Sequence, residues 1–468
     1  MNTLNAALAL LPGLAVVWVI ACSNWLNSPR CLANAWHLLR GFADKVSYGS
    51  YWEPYSLCVD PYWVNQWIKN YAAGLVKRGL LGHLLAGVGD GRINLIYLNA
   101  IGIILCVSLA YLIAVRLYLL LGSRNSALVF VWVALLWMTP FGKSFAETLA
   151  DPLQVAAVLW LSLSLLLWFF GRYFDGREWL VDLLVSLSYI VSILIHEGAF
   201  LLAAVPFFFL GKRSWIWYGF VVAAALLVAR LSGSEGLGVE SKIAEALTAY
   251  NPLNGLEMAY RSGGAIASQV SFVDNFRMES AKYIVFPLQS ASDFATFLAF
   301  AFVLGAAFRA FCLGVLARGC DAESACRIRC SLNTALVSFA CSVLVSLPFF
   351  YVTHDWTRYI CVLFALSIAV LPARVLSHVE FPLSDKPLMN RGFDWFARLG
   401  RMQPIAVLPD RYALSYSFVV LCLLALLMPH SIDLRTSLPV PYRYVLWLLA
   451  VTVALVSVGP QRSLSSRH

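Results

Sequence analysis

The sequence predicts an all-α, polytopic integral membrane protein: about twelve transmembrane helices, with interfacial helices in its first periplasmic loop. Three observations carry that prediction. Of the 468 residues, 60% are hydrophobic and only 13% charged, and the mean hydropathy is +0.75. Apolar runs close to the length that a bilayer core demands recur along the chain. Lys and Arg then collect in alternate connections, as the positive-inside rule requires.

The first run covers residues 5–22. It has no basic stretch before it, so it reads as a retained helix and not as a cleaved signal peptide. Further spans fall near 93–121, 125–141, 153–170, 180–195, 198–211, 214–231, 293–316, 332–352, 357–371, 412–428 and 441–458. His196-Glu197 separates the fifth and sixth of the twelve runs, which marks a tight hairpin or a broken helix pair. The chain is expected to be a single transmembrane domain, 1–468, without a soluble domain, an internal repeat or a low-complexity tract.

Orientation follows from the basic residues. With both termini cytoplasmic, the inner connections hold Arg116 and Arg124, Arg172 and Arg177, Lys212 and Arg213, then Arg318, Arg327 and Arg329. The basic cytoplasmic loop 372–411 adds Arg374, Lys386, Arg391, Arg398, Arg401 and Arg411, and the tail adds Arg462 and Arg467. Its Phe393–Leu399 stretch, with Trp395, reads as a short basic surface helix beside acidic headgroups. The setting this predicts is a bacterial inner (plasma) membrane. The formal charge of +9 is scattered among apolar segments, which argues for topology signals and against nucleic acid as a partner.

Two large loops then face outward, 23–92 and 232–292. In the first, Leu32, Ala35, Trp36, Leu39, Phe42 and Val46 recur at helical spacing, opposite Asn34, His37, Arg40 and Asp44. That pattern is a helix lying in the membrane interface. A second such helix starts at Asp60-Pro61 and carries Tyr62, Trp63, Trp67, Ile68 and Tyr71. After it comes NYAAGLVKRGLLG, in which Lys77 and Arg78 are ringed by Gly74, Gly79 and Gly82. A basic pair on the outer side needs an anionic partner. Lipid headgroups would serve, as would a lipid-linked phosphate gripped by a planar guanidinium fork and a point charge.

The eleven cysteines form no framework. Cys106, Cys341, Cys361 and Cys422 sit in apolar runs, where Cys acts as a small hydrophobe. Cys320, Cys326 and Cys330 fall on an expected cytoplasmic loop without a zinc-ligand spacing. Cys31 and Cys58 share the first outer loop, where an oxidising compartment would permit a disulfide.

The other ionisable residues each have a plain role and a chemical one. Asp60 is an N-cap or a general base, Asp44 a polar face or a base, and Glu53 a headgroup or sugar contact within SYWEPY. His196-Glu197 is a hydrogen-bonded plug at a helix break or part of a site, since an ionisable pair at that depth is functional by default. His354-Asp355 with Arg358 repeats the motif, and the spacing of Asp355 and Arg358 suits a salt bridge. Lys143, Glu147 and Asp151 recur every four residues, as in a charge ladder along one helix. A divalent cation is the one cofactor the sequence allows, between the two His–carboxylate pairs if their helices converge. No Walker loop, Rossmann fingerprint or HExxH occurs, which excludes the common nucleotide and zinc-protease chemistries.

This layout resembles the glycosyltransferase C superfamily of polytopic membrane enzymes. The likeness rests on the first outer loop with its acids Asp44, Glu53 and Asp60, and on the GLVKRGLLG run after them. The basic pair before GLLG, the His196-Glu197 pair and the Asp355-Trp356-Thr357-Arg358 element are similar to those of other bacterial membrane proteins. The resemblance implies transfer of a sugar from a polyprenyl-phosphate carrier to a glycan or lipid acceptor outside the cytoplasm, with a first-loop carboxylate as base. No acid follows the first span directly in this chain, so the choice among the three acids stays open.

The expected mechanism has Lys77 and Arg78 holding the donor phosphate and Asp60, Asp44 or Glu53 taking the acceptor proton. His196, Glu197, His354, Asp355 and Arg358 would line the substrate. Two alternatives remain at this stage. One is a polysaccharide polymerase or ligase of the O-antigen type, working through Arg261 and Arg277 of the 232–292 loop. The other is a transporter or flippase of lipid-linked sugar.

Overall fold

A computed structural model describes, in the main, residues 3–25, 79–88, 95–122, 125–147, 151–174, 176–196, 287–318, 322–350, 356–370, 410–426 and 444–452. Every secondary-structure element among them is helical. In chain order these are α1 (Thr3–Trp25), α2 (Gly79–Val88), α3 (Leu95–Leu121), α4 (Ser126–Trp137), α5 (Pro140–Glu147), α6 (Pro152–Phe169) and α7 (Glu178–Ile195). They continue with α8 (Pro287–Leu316), α9 (Ala322–Phe350), α10 (Trp356–Val370) and α11 (Asp410–Leu426). Three of them are long and apolar enough to cross a membrane, and the bent pair α4–α5 makes a fourth.

The helix limits have local causes. Gly122 ends α3 at φ +82°, and its N–H donates to the Tyr118 carbonyl at 2.9 Å. This is the left-handed cap that glycine adopts without a Cβ penalty. Asn125 Nδ2 donates to the Leu121 carbonyl at 2.9 Å and closes the same turn. At α6, Asp151 is the N-cap and Pro152 opens the first turn. The Asp151 carboxylate accepts from the Leu153 N–H at 3.0 Å, a cap worth about 1 kcal/mol.

The run expected over 125–141 is two helices. They meet at 64° between Trp137 and Pro140. The sequence WMTPFG builds the elbow. Thr139 Oγ1 donates to the Leu136 carbonyl at 2.6 Å and accepts from the Phe141 N–H at 3.2 Å, so one hydroxyl serves the end of α4 and the start of α5. Proline cannot continue α4 but suits the first turn of α5. Gly142 faces the backbone of Trp137 so closely that a Cβ there would run into its carbonyl.

Contacts between helices fix their directions. Arg116, near the C-terminus of α3, reaches the Ala369 carbonyl near the C-terminus of α10. Asp151 and Arg358 join the N-terminal ends of α6 and α10. Helices α3, α6 and α10 therefore run the same way. The chain must return between α3 and α6, and the bent pair α4–α5 makes that return.

On the other side of the bundle, α8 packs along α11. Gly314 sits where a Cβ would lie 2.5 Å from the Leu414 backbone nitrogen. Ser417 Oγ donates to the Ala307 carbonyl at 2.6 Å and accepts from Trp132 Nε1 at 3.0 Å, which ties α11 to α8 and α4. Between the two sides lies an aromatic cluster. Phe364 of α10 meets Phe141, Phe308 and Phe339 edge-on at 5.9, 5.5 and 5.5 Å. Leu10, Leu14, Val17 and Trp18 of α1 remain exposed on one stripe, as they would be against lipid.

Several expectations need correction. Lys143 and Asp151 are not rungs of one ladder: α5 ends at Glu147 and Asp151 caps the next helix. Arg116 is not a surface topology signal, because it lies inside α3 with no exposed surface. The loop expected around Cys326 and Cys330 is helical, since α9 begins at Ala322. The two interfacial helices of the first loop, Cys31 and Cys58, and all but a few residues of the spans 198–211 and 214–231, lie outside the described residues.

Candidate functional site

The polar centre of the described bundle is the pair Asp151–Arg358. Arg358 Nη1 stands 3.3 Å from Asp151 Oδ2, with the two side chains 6% and 0% exposed. Asp151 has a double role. One carboxylate oxygen caps α6 while the other faces the guanidinium. Arg358 lies in the first turn of α10, where the helix dipole disfavours a cation. The carboxylate from the neighbouring helix offsets that cost. The guanidinium also lies 4.8 Å from the centre of the buried Tyr359 ring, a cation–π contact.

The short helix α5 forms the next wall. Ser144 hydrogen-bonds to Cys361, one turn along α10 from Arg358. Lys143, the preceding residue, is also buried, at 6% exposure. The Phe145 carbonyl accepts from Gln154 Nε2 at 3.0 Å, and Cys106 Sγ of α3 lies 3.4 Å from Gln154 Oε1 and 3.8 Å from that carbonyl. Buried polar groups thus brace α5 from α3, α6 and α10 together. Such bracing is how irregular backbone is accommodated at membrane depth.

His196 ends α7 in extended conformation, φ −156° and ψ 123°, and is fully buried. Its N–H donates to the Ser192 carbonyl, and its carbonyl accepts from the Ala199 N–H, each at 2.9 Å. Ser192 Oγ takes a hydrogen bond from Trp160 Nε1 of α6 at 3.1 Å. His196 is thereby tied to the helix that Asp151 caps. Trp160 lies nine residues beyond Asp151, or roughly 13 Å along the axis.

Of the sequence candidates, the structure brings Arg358 and Asp151 together and buries His196 and Lys143. His83, which directly follows the GLLG run, is exposed on α2. The salt bridge expected between Arg358 and Asp355 falls outside the described residues, and Asp151 is a partner of Arg358 that the sequence reading did not expect. Asp44, Glu53, Asp60, Lys77, Arg78, Glu197, His354 and Asp355 lie outside the described residues. Among the described residues no group of three or more His, Cys, Asp or Glu could hold a metal ion.

Gln154 and the Cys106 thiol are members that the sequence reading missed. Gln154 could have been noticed as an amide within an apolar run. Cys106 carries no sequence signal that separates it from a core thiol. No protein-family profile matches the chain, and no curated protein or solved structure is similar to it.

Chemically, the arrangement is a guanidinium held in place by a carboxylate, a buried lysine on the adjacent helix α5, and two helix N-termini facing one region. Each of these favours an anion.

Proposed function

We propose that the protein is an inner-membrane glycosyltransferase. It would take a sugar from a polyprenyl-phosphate donor and pass it to a glycan or lipid acceptor on the periplasmic side. About twelve crossings with both termini cytoplasmic would place the N-terminal ends of α3, α6 and α10 outward. The observation that carries this reading is the buried Asp151–Arg358 pair beside the short helix bearing Lys143. A cation held among apolar helices at that level suits a phosphate that arrives on a lipid tail.

In this mechanism Lys77 and Arg78 meet the donor phosphate at the membrane surface, and Arg358 and Lys143 steady it from within. They stabilise the negative charge that grows on the phosphate as the glycosidic bond breaks. Asp60, Asp44 or Glu53 takes the proton of the acceptor hydroxyl. Loss of such a base lowers the rate by about two to four orders of magnitude.

The test is mass spectrometry of envelope glycans from cells with and without the protein, and with each of the three acids changed to Ala. The reading predicts a glycan lacking one sugar, and the same defect from at least one of the three variants. Full glycan output from all three, singly and together, would end it.

A second reading, a carrier of lipid-linked sugar, is favoured by the broken pair α4–α5 and by the buried break at His196. Discontinuous helices of this kind line transport sites. Movement of a labelled lipid-linked sugar across proteoliposomes without acceptor, and without glycosyl transfer, would select it.

A further inference from the structure

Arg116 is unlike the other basic residues assigned to connections. It lies on α3, five residues before the helix ends, and has no exposed surface. Its Nη2 donates to the Ala369 carbonyl at 2.7 Å. Its Nε and Nη1 have no hydrogen-bond partner among the described residues. Burying a guanidinium is costly, and an apolar side chain would pack there more cheaply. What the guanidinium adds is a grip on a carbonyl in the last turn of α10. Those carbonyls lack partners within their own helix and carry the negative end of its dipole.

Helix α10 is thereby fixed at both ends. Its C-terminal end is held by Arg116 of α3, and its N-terminal end by the pairing of its own Arg358 with Asp151 of α6. Eleven residues separate Arg358 from Ala369, roughly 17 Å along the axis. A helix of this kind moves as a rod, so the depth of one end sets the depth of the other. We infer that Arg116 is a positioning residue: by holding the Ala369 carbonyl it fixes the height at which α10 presents Arg358 to Asp151 and Cys361 to Ser144. The inference rests on the geometry of the pair and holds whichever substrate the site takes.

The test follows Cys361, which is fully buried against α5. The full-length chain in native membranes, with every other cysteine changed to Ala, is treated with N-ethylmaleimide and the labelling rate of Cys361 is measured. A matching chain that keeps only Cys312, buried on α8, is the control. Arg116→Met should raise Cys361 labelling on the order of tenfold, the sign of local opening, while Cys312 stays slow. Arg116→Lys, whose ammonium can still donate to a carbonyl, should restore most of the protection.

Unchanged Cys361 labelling in the Met variant would overturn the inference. So would an equal rise at Cys312, which would mean general loosening. If Arg116→Met does not accumulate in membranes, Arg116→Gln carries the same comparison. Its neutral amide is too short to reach the carbonyl. These outcomes are read without any glycosyl-transfer assay, so failure here and failure of the proposed activity are separately visible.

Discussion

Two seams hold this bundle, and they use different physics. Where α8 meets α11 and α4, the helices close on Gly314 and share neutral hydrogen bonds through Ser417. No ionisable group takes part in those bonds. Where α6 meets α10 and α5, the contact is made by a buried ion pair, a buried lysine, a glutamine and two thiols. Close packing stabilises without any penalty for buried charge. A buried ion pair roughly breaks even against apolar residues of the same size. The first seam is what a membrane bundle needs in order to stand. The second is what it would keep for a site.

The sharpest way to break that contrast is to remove one charge. Asp151→Ala takes away the carboxylate that faces the buried Arg358 and also removes the α6 cap, so it should cost roughly 3–5 kcal/mol in thermal or denaturant unfolding in detergent. The double change Asp151→Leu with Arg358→Met should recover most of this, leaving a deficit of about 1 kcal/mol from the lost cap. A double variant as unstable as the single one would place the α6–α10 seam among the structural contacts.

Gly314→Leu comes next. A side chain there must push α11 away from α8, at a cost of about 1–3 kcal/mol. Any activity should fall only in step with the folded fraction. Ser417→Ala follows, since it strands the Trp132 indole N–H, at about 1–2 kcal/mol. Tyr111→Phe, which removes the 3.1 Å bond to the Ala9 carbonyl, should cost least, about 0.5–1.5 kcal/mol. Loss of binding or transfer out of proportion to stability in Gly314→Leu or Ser417→Ala would contradict the division between the seams.

Much of the fold was legible because bilayer length and hydropathy dominate it. The expected run 153–170 is α6 at Pro152–Phe169, and 357–371 is α10 at Trp356–Val370. The elbow was not expected, although Thr139-Pro140 and Gly142 spell it out. An apolar average over 125–141 hides a cap-and-proline signal of a few residues. Arg116 was misplaced for a related reason. Counting basic residues near run ends treats each one as surface, and only the fold shows that a cation points inward.

The site was half legible. Asp151, Arg358, Lys143 and His196 each stood out as ionisable groups at run ends. Their pairing did not, because helices more than 200 residues apart in sequence meet only after packing. Local spacing suggested Lys143 as a neighbour for Asp151 on one helix, and the ion-pair partner of Asp151 came from α10.

On the proposed function, the Asp151–Arg358 pair is kept for an anionic, lipid-borne ligand and not for the stability of the bundle. Binding of a short-chain polyprenyl monophosphate to the purified protein in nanodiscs tests it directly, with wild type set against the Asp151→Leu, Arg358→Met double variant. The expected result is a folded double variant whose affinity is lower by about tenfold or more, the loss of one charge-assisted contact. A folded double variant that binds as tightly as wild type would contradict it.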